Sequence, residues 1–424
     1  MTNPEQHVKP NIGTALGRAI CALALFCVLT TLLMTTAQSQ TLTVLHSFTQ
    51  QGDGGFPEAG LTMDAAGNLY GTTNGGGIAN MGTVFRLKHS GSGWILNPLY
   101  SFAGGEDGAS PAGRVVLARD GTLYGTTTEG GGFSSGTVFH LTPQATAPRS
   151  ALTSWNERTI YSFSGNNGQS PQGDLIFDTS GNIYGTTPSG GDAGYGVVYE
   201  LVSSSGGWAG TVLYSPPSAP DGQHPSGGVI FDRSGNLYGV FTDGGPNNHG
   251  AVYELSPSGS GWSEQILYSF TGAGDGANPI GVLIFDASGI LYGTTVTSGS
   301  GGGGTAFDIT PGPMLNTIYS FANNFHYINS GPQDKLAMDA AGNLYGTTID
   351  DGFYGYGTVF KLTPSDGAWV LTTLHDFTGG SDGAQPLSNV IIDASGNLYG
   401  TTARGGSTNR CAGVGCGVVW EITP

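Results

Sequence analysis

The chain has 424 residues, 75 of them glycine, and its 13 basic and 30 acidic side chains give a formal net charge of −17. Only 10% of residues are charged and aromatic residues are plentiful, which excludes a charge-rich disordered chain; the glycines follow no three-residue period, which excludes collagen. Such acidity repels phosphate backbones and anionic lipid, so nucleic acid is not an expected partner.

At the N-terminus Lys9 and Arg18 accompany an apolar run from Ala19 to Thr36, with small residues at Ala37 and Ser39. This is the pattern of a secretory signal peptide over residues 1–39, favoured over an uncleaved anchor because the run is at the short end for a bilayer span. Cleavage removes Cys21 and Cys27, and no later segment is apolar enough to span. A lone strand, TLTVLHSF (41–48), comes next.

Seven copies of one unit follow: GNLYGTT (67–73), GTLYGTT (121–127), GNIYGTT (181–187), GNLYGVF (235–241), GILYGTT (289–295), GNLYGTT (342–348) and GNLYGTT (396–402). Their starts are 54, 60, 54, 54, 53 and 54 residues apart, the long interval holding the connection TPQATAPRSALTSWNE. Each unit divides into four strand-like pieces. Strand A, such as GDLIFD (173–178), ends at a D-x-S-G-N turn; strand B is NLYGTT; strand C is GTVFKL (357–362) or a variant; strand D ends in LYSF. A D-G-x-x-P turn opens the next unit. Strands A and C are apolar on both faces, as required where each sheet is sandwiched between two others. Glycine in the middle of strand B permits close approach of another group.

Four strands per unit, seven times over, predict an all-β, seven-bladed β-propeller spanning residues 40–424, rather than a β-solenoid with its shorter rungs. The chain ends on strands A, B and C with no D, so the N-terminal strand is expected to complete the last blade and close the ring. Cys411 and Cys416, in CAGVGC, are expected to pair as a local disulfide.

The recurring LYGTT…GG…GTVF.L signature resembles the GloVer tandem-repeat family. That resemblance implies an extracellular repeat protein and carries no catalytic residues. Because the chain stops at Pro424, directly after its last strand, release from the cell or retention in the periplasm is expected rather than C-terminal anchoring. The D-x-x-G-N-L-Y turn is more distantly similar to NHL-type and streptogramin-lyase-like propellers.

Three groups of residues are candidates for chemistry. Asp53, Asp107, Asp221, Asp275 and Asp382 stand in D-G-x-x-P turns and are expected near the central channel, where a partial acidic ring would hold a divalent cation such as calcium; turn formation is the competing explanation, and no other cofactor is expected. Blade 4 breaks GTT to GVF and puts Asp221, His224, Asp243 and His249 in loops of one face, a set able to bind a metal or act as acid and base. Blade 6 offers Phe325 and Tyr327 in its incoming loop and Asp350, Asp351, Phe353, Tyr354 and Tyr356 in its B–C loop, aromatic faces beside carboxylates of the kind that grip sugar rings. G-x-S-x-G, H-E-x-x-H and GK[ST] motifs are absent. The expected function is therefore non-enzymatic recognition of a glycan or protein, with a metal-assisted lyase or glycan hydrolase as the alternative.

Overall fold

The structure, a computed structural model, describes residues 40–91, 93–144, 155–259, 261–323, 331–406 and 411–424. The expected signal peptide lies outside these residues, as do Phe325 and Tyr327.

The repeat is punctuated by its A–B turn. Asp64 Oδ1 accepts the backbone N–H groups of Ala66 and Asn68, and Oδ2 accepts the Asn68 amide and the Tyr70 hydroxyl. Gly67 takes φ +79°, open to glycine at little cost. The pattern recurs at Asp178, Asp232, Asp339 and Asp393; where Ala118 replaces the aspartate, Asp120 holds the turn through Thr122. Burial pushes the Asp64 carboxyl up, but its donors outweigh burial and hold it below its ordinary value.

Strand B is pinned from its other side. The rings of Phe85, Phe139, Tyr199, Tyr253, Phe307, Phe360 and Trp420 on strand C lie against Gly71, Gly125, Gly185, Gly239, Gly293, Gly346 and Gly400. A Cβ at any of these glycines would come within 2.6 Å of an atom of that aromatic side chain. The glycine is therefore required by packing against its own blade, not by a bend.

Seven four-stranded antiparallel sheets result, each in the order A-B-C-D. Blade 1 comprises Thr62–Met63, Leu69–Thr73, Thr83–Ser90 and Gly93–Ser101; blade 4 comprises Gln223–Phe231, Leu237–Asp243, Ala251–Ser258 and Gly261–Ser269. Blade 7 takes Ile391–Ile392, Leu398–Thr402 and Val418–Thr423 from the C-terminus and Thr41–Ser47 from the N-terminus. The seven-bladed propeller is thus closed as the phasing requires. Phe56 N donates to Cys416 O at 2.8 Å, and the Thr401 hydroxyl donates to Pro57 O at 3.0 Å, tying the last blade to the first. Cys411 and Cys416 form the expected disulfide, their Cα atoms 5.4 Å apart, within a cluster that includes Phe48, Leu61 and Phe85.

The core lies between blades. One cluster joins Tyr70, Val84 and Phe102 of blade 1 to Val115, Leu123 and Phe139 of blade 2, and the pattern repeats around the ring. Burial of such rings and branched side chains is the main stabilising term. The blade 4 departure belongs to this packing. In blades 1, 2, 5 and 6 a strand B threonine meets a strand C threonine in a buried hydroxyl pair, as Thr73–Thr83 at 2.9 Å and Thr348–Thr358 at 2.8 Å, and in blades 3 and 7 the strand C partner is valine. In blade 4 both are replaced together: Phe241 faces Ala251 and stacks on Tyr253 with centroids 4.3 Å apart. The large-for-small exchange conserves volume, so GVF needs no functional explanation.

Candidate functional site

The D–A and B–C loops share one face, joined by bridges such as Gly55 with Gly75 and Ala384 with Arg404. In six repeats the residue before the D–A proline has a left-handed backbone: Phe56, Ser110, Ser170, His224, Asn278 and Gln385, with φ between 54° and 60°. Such a conformation is unfavourable for these residues. Each offsets the cost by donating its N–H to a B–C loop carbonyl of the preceding blade, for example Ser110 to Met81, His224 to Tyr195 and Asn278 to His249. The same turn therefore locks neighbouring blades together and presents a variable side chain in each repeat.

At this position in blade 4, His224 Nδ1 lies 3.0 Å from Asp243 Oδ2. The other Asp243 oxygen accepts the Asn278 amide at 2.9 Å, and Asn278 Oδ1 accepts the Thr297 hydroxyl at 3.0 Å. His224 and Asp243 line a central cavity of about 430 Å³ to which all seven blades contribute, together with Glu58, Arg114, Asp174 and Asp334. Arg114 Nε and Nη2 both lie 2.9 Å from Asp174 Oδ2. The Asp334 carboxylate accepts the backbone N–H groups of Lys335 at 2.6 Å and Asn389 at 2.7 Å. Burial, then the neighbouring Asp174, push Asp334 up to about 7, and burial pushes Glu58 up. The cavity therefore presents both signs of charge to a polar ligand.

Only part of the expected blade 4 set assembles. His224 and Asp243 meet in the cavity, whereas Asp221 accepts from Ser218 in its own turn and the His249 ring lies against Gly272. Among the described residues no three His, Cys, Asp or Glu side chains converge as metal ligands would. The aspartates expected to form an acidic ring each bond within their own repeat. Asp53, Asp107, Asp275 and Asp382 sit beneath the outer D strand, held by a side chain seven residues earlier: His46 at 3.1 Å, Tyr100 at 2.9 Å, Tyr268 at 2.9 Å and His375 at 3.1 Å. Their turn N–H groups complete the coordination, as Thr49 N does for Asp53. These carboxylates face their own turns because donors are already at hand there, and the histidines take the place of tyrosine.

Sequence reasoning missed Arg114, Asp174, Asp334 and Asn278. The first two precede strand A at a position that is glycine in blades 1 and 4 (Gly60, Gly228), and Asp334 stands where Gly113, Gly173, Gly227 and Gly281 stand in other units. Aligning the repeats at that position, rather than at the turns, exposes them.

Blade 6 forms a second cavity of about 500 Å³ on the same face, lined by Tyr319, Phe321, Asp351, Phe353, Leu371 and Asp376 among others. Phe353 is 81% exposed and meets Tyr354 edge-on, ring centroids 5.1 Å apart. Tyr356 is half-exposed and lies against Gly379. Asp350 accepts the Gln385 amide at 3.2 Å, and burial pushes its carboxyl up. Asp376 replaces the serine of the LYSF strands. Its Oδ2 accepts Phe353 N at 2.6 Å, while Oδ1 is buried with no hydrogen-bond partner among the described residues.

Solved structures are similar to this chain at low identity. An ancestral GH74 enzyme has a TM-score of 0.53 at 14% identity over 87% of this chain and 48% of its own. A candidate 6-phosphogluconolactonase of Bacteroides uniformis ATCC 8492 has a TM-score of 0.50 at 16% identity over 78% and 88%. A PL25 ulvan lyase has a TM-score of 0.49 at 12% identity over 78% and 87%. No curated protein sequence is significantly similar. The repeat itself is more specific than the fold: the model of the Gloeobacter/Verrucomicrobia repeat matches residues 30–158, 151–284 and 263–424, and with almost the whole array accounted for, the chain belongs to that family.

Proposed function

We propose that the protein is an extracellular recognition propeller that binds a glycan through the D–A/B–C face, with blade 6 as the primary site. The observation that carries this reading is an exposed Phe353, edge-on to Tyr354, in one cavity wall with a buried Asp376 oxygen that has no hydrogen-bond partner among the described residues. A pyranose offers an apolar face for the rings and hydroxyl donors for the free oxygen, and an unmet buried acceptor is costly until a ligand supplies a donor. The Cys411–Cys416 disulfide favours an oxidising compartment, and no helix among the described residues is long and apolar enough to cross a membrane. Binding to a polysaccharide panel tests the reading: affinity lost in Phe353→Ala and Asp376→Ser supports it, and affinity unchanged in both removes it.

The His224–Asp243 pair in the central cavity favours a second reading, acid–base cleavage of a glycan. Release of reducing ends that disappears in His224→Ala would establish it in place of simple recognition. Intact polysaccharide after prolonged incubation would remove it.

A further inference from the structure

Five blades bring a tryptophan to the start of strand D; three of the indoles meet the strand B tyrosine of the preceding blade, and the other two share that tyrosine's hydrophobic cluster. Trp94 meets Tyr399 at a centroid distance of 6.3 Å, Trp208 meets Tyr124 at 6.2 Å and Trp369 meets Tyr292 at 6.3 Å, all edge-on. Trp155 and Trp262 pack in the clusters of Tyr70 and Tyr184. On Tyr345 the Lys361 ammonium lies 5.6 Å from the ring centroid instead. Among the described residues, Tyr238 of blade 4 is the one member of the series with neither.

The cause is the C–D hairpin of blade 5. In blade 4 the arms run to a Ser258–Gly261 pair, which places Trp262 opposite Pro257. In blade 5 they stop at Thr310 and Met314, so Pro311-Gly312-Pro313 turns early and Pro313 stands where the other blades have tryptophan. A groove of about 700 Å³ is left between blades 4 and 5, with Tyr238, Leu267, Phe285 and Ile309 among its walls. The Tyr238 hydroxyl is already engaged by Asp232 at 3.3 Å, and Phe285 covers one side of the ring at 5.1 Å. Asp232, Glu254 and Asp286 line the rim against a single cation, Arg233.

We infer that this groove is a docking site for a tryptophan side chain of a partner polypeptide, flanked by basic residues. The sister blades show which ring completes these walls, since five of them fill the equivalent place with an indole. The acidic rim selects a cationic segment around that ring. A second aromatic contact adds to burial of the ring's area, so the indole is expected to anchor the partner.

The test is calorimetric titration of the full chain with the acetylated, amidated tripeptide Lys-Trp-Lys, with Lys-Gly-Lys as control. Saturable binding with a dissociation constant on the order of 0.1–1 mM is expected for the first and none for the second. Replacing Pro311–Pro313 by the blade 4 segment Pro257–Trp262 should fill the groove and weaken binding at least tenfold. The same graft with alanine in place of its tryptophan should restore it. If the graft does not fold, Tyr238→Leu removes the aromatic wall and should give the same loss. Absence of saturable Lys-Trp-Lys binding, equal binding of both peptides, or binding indifferent to these changes would overturn the assignment. Phe353→Ala, in the blade 6 glycan site, should leave peptide binding unaltered, so the two sites stand or fall separately.

Discussion

Arg114 and Asp174 join blades 2 and 3 across the central cavity, with Nε and Nη2 of the guanidinium both 2.9 Å from one carboxylate oxygen. The Arg114 backbone N–H adds a 3.3 Å contact to the other oxygen. Both side chains are about one-fifth exposed, so water in the cavity screens the pair only partly. Arg114→Met leaves Asp174 beside Asp334 with Lys335 as the remaining neighbouring cation. It should lower stability by about 1–3 kcal/mol at pH 8 and by less at pH 5, where the Asp334 carboxyl is protonated. Thermal unfolding at the two pH values checks this, and an equal loss at both would exclude the carboxyl pair as its cause.

The carboxyl groups act on stability in opposite directions. Asp334 and Glu157 are each pushed up to about 7, chiefly by burial. Between their ordinary range and about pH 7 the folded chain binds more protons than the unfolded chain, so raising the pH through that window removes stability. Asp53, Asp64, Asp275, Asp339, Asp382 and Asp393 are held below their ordinary value by their turn donors, which outweigh burial. They contribute stability that is lost as the pH falls below that range. The unfolding midpoint should peak in mildly acidic solution, near pH 4–5. Asp334→Ser and Glu157→Gln should flatten the decline toward pH 8, and a midpoint that climbs steadily from pH 5 to pH 8 would contradict the assignment.

Mid-strand glycine gives a direct packing prediction. A Cβ on Gly346 would stand 2.6 Å from Phe360 Cζ and 3.0 Å from a Leu336 methyl. Phe360 is buried between blades and has no open space to enter. Gly346→Ala should cost roughly 1–3 kcal/mol by overpacking, despite the better strand propensity of alanine. Gly346→Ala combined with Phe360→Leu should recover part of the loss, which a backbone explanation would not predict.

The blade number, the strand order, the ring closure and the Cys411–Cys416 pairing were all legible in the sequence, because each follows from local turn chemistry repeated at a fixed interval. Asp64 with Asn68 and Gly67 is sufficient to specify its turn, and seven copies multiply that signal. What faces the axis was not legible. Asp53 has the composition of a cation ligand, yet His46 and Thr49 satisfy it within its own turn. Arg114 and Asp174 lie at a position that is glycine in two other blades and Asp334 at one that is glycine in four, and only the closed ring brings residues 60 to 220 positions apart to one cavity. Blade 4 misled in a different way: Phe241 with Ala251 is a compensated volume exchange, visible only once the two strands are paired.

Reducing the disulfide should have a local, measurable effect. Cys411–Cys416 closes a short loop whose Cys416 carbonyl accepts Phe56 N, a bond between blades 7 and 1. In the chain-entropy model so short a loop contributes about 2 kcal/mol. Cys411→Ser with Cys416→Ser should lower the unfolding midpoint and raise hydrogen exchange first at Phe56 and Phe48, whose N–H groups bond to the segment around Cys416. Uniform acceleration across all blades would place the disulfide's role elsewhere.

The blade 6 cavity separates binding from stability. Phe353 is 81% exposed, so Phe353→Ala removes little packing and should leave the unfolding midpoint unchanged within about 0.5 kcal/mol. Asp376→Ser restores the residue found at the end of the other LYSF strands, where the Ser101 hydroxyl accepts Ile78 N at 2.8 Å, as Asp376 accepts Phe353 N. That change should maintain or raise stability, because it deletes a buried carboxylate oxygen without a partner among the described residues. If the orphaned oxygen is there to receive a sugar hydroxyl, the same change should lower glycan affinity by roughly tenfold, the expected loss of one charge-assisted hydrogen bond. A variant that is more stable and binds more weakly would identify Asp376 as a residue retained for ligand binding at the expense of the fold. A variant that is more stable and binds equally well would return Asp376 to loop packing and leave the rings alone to carry the site.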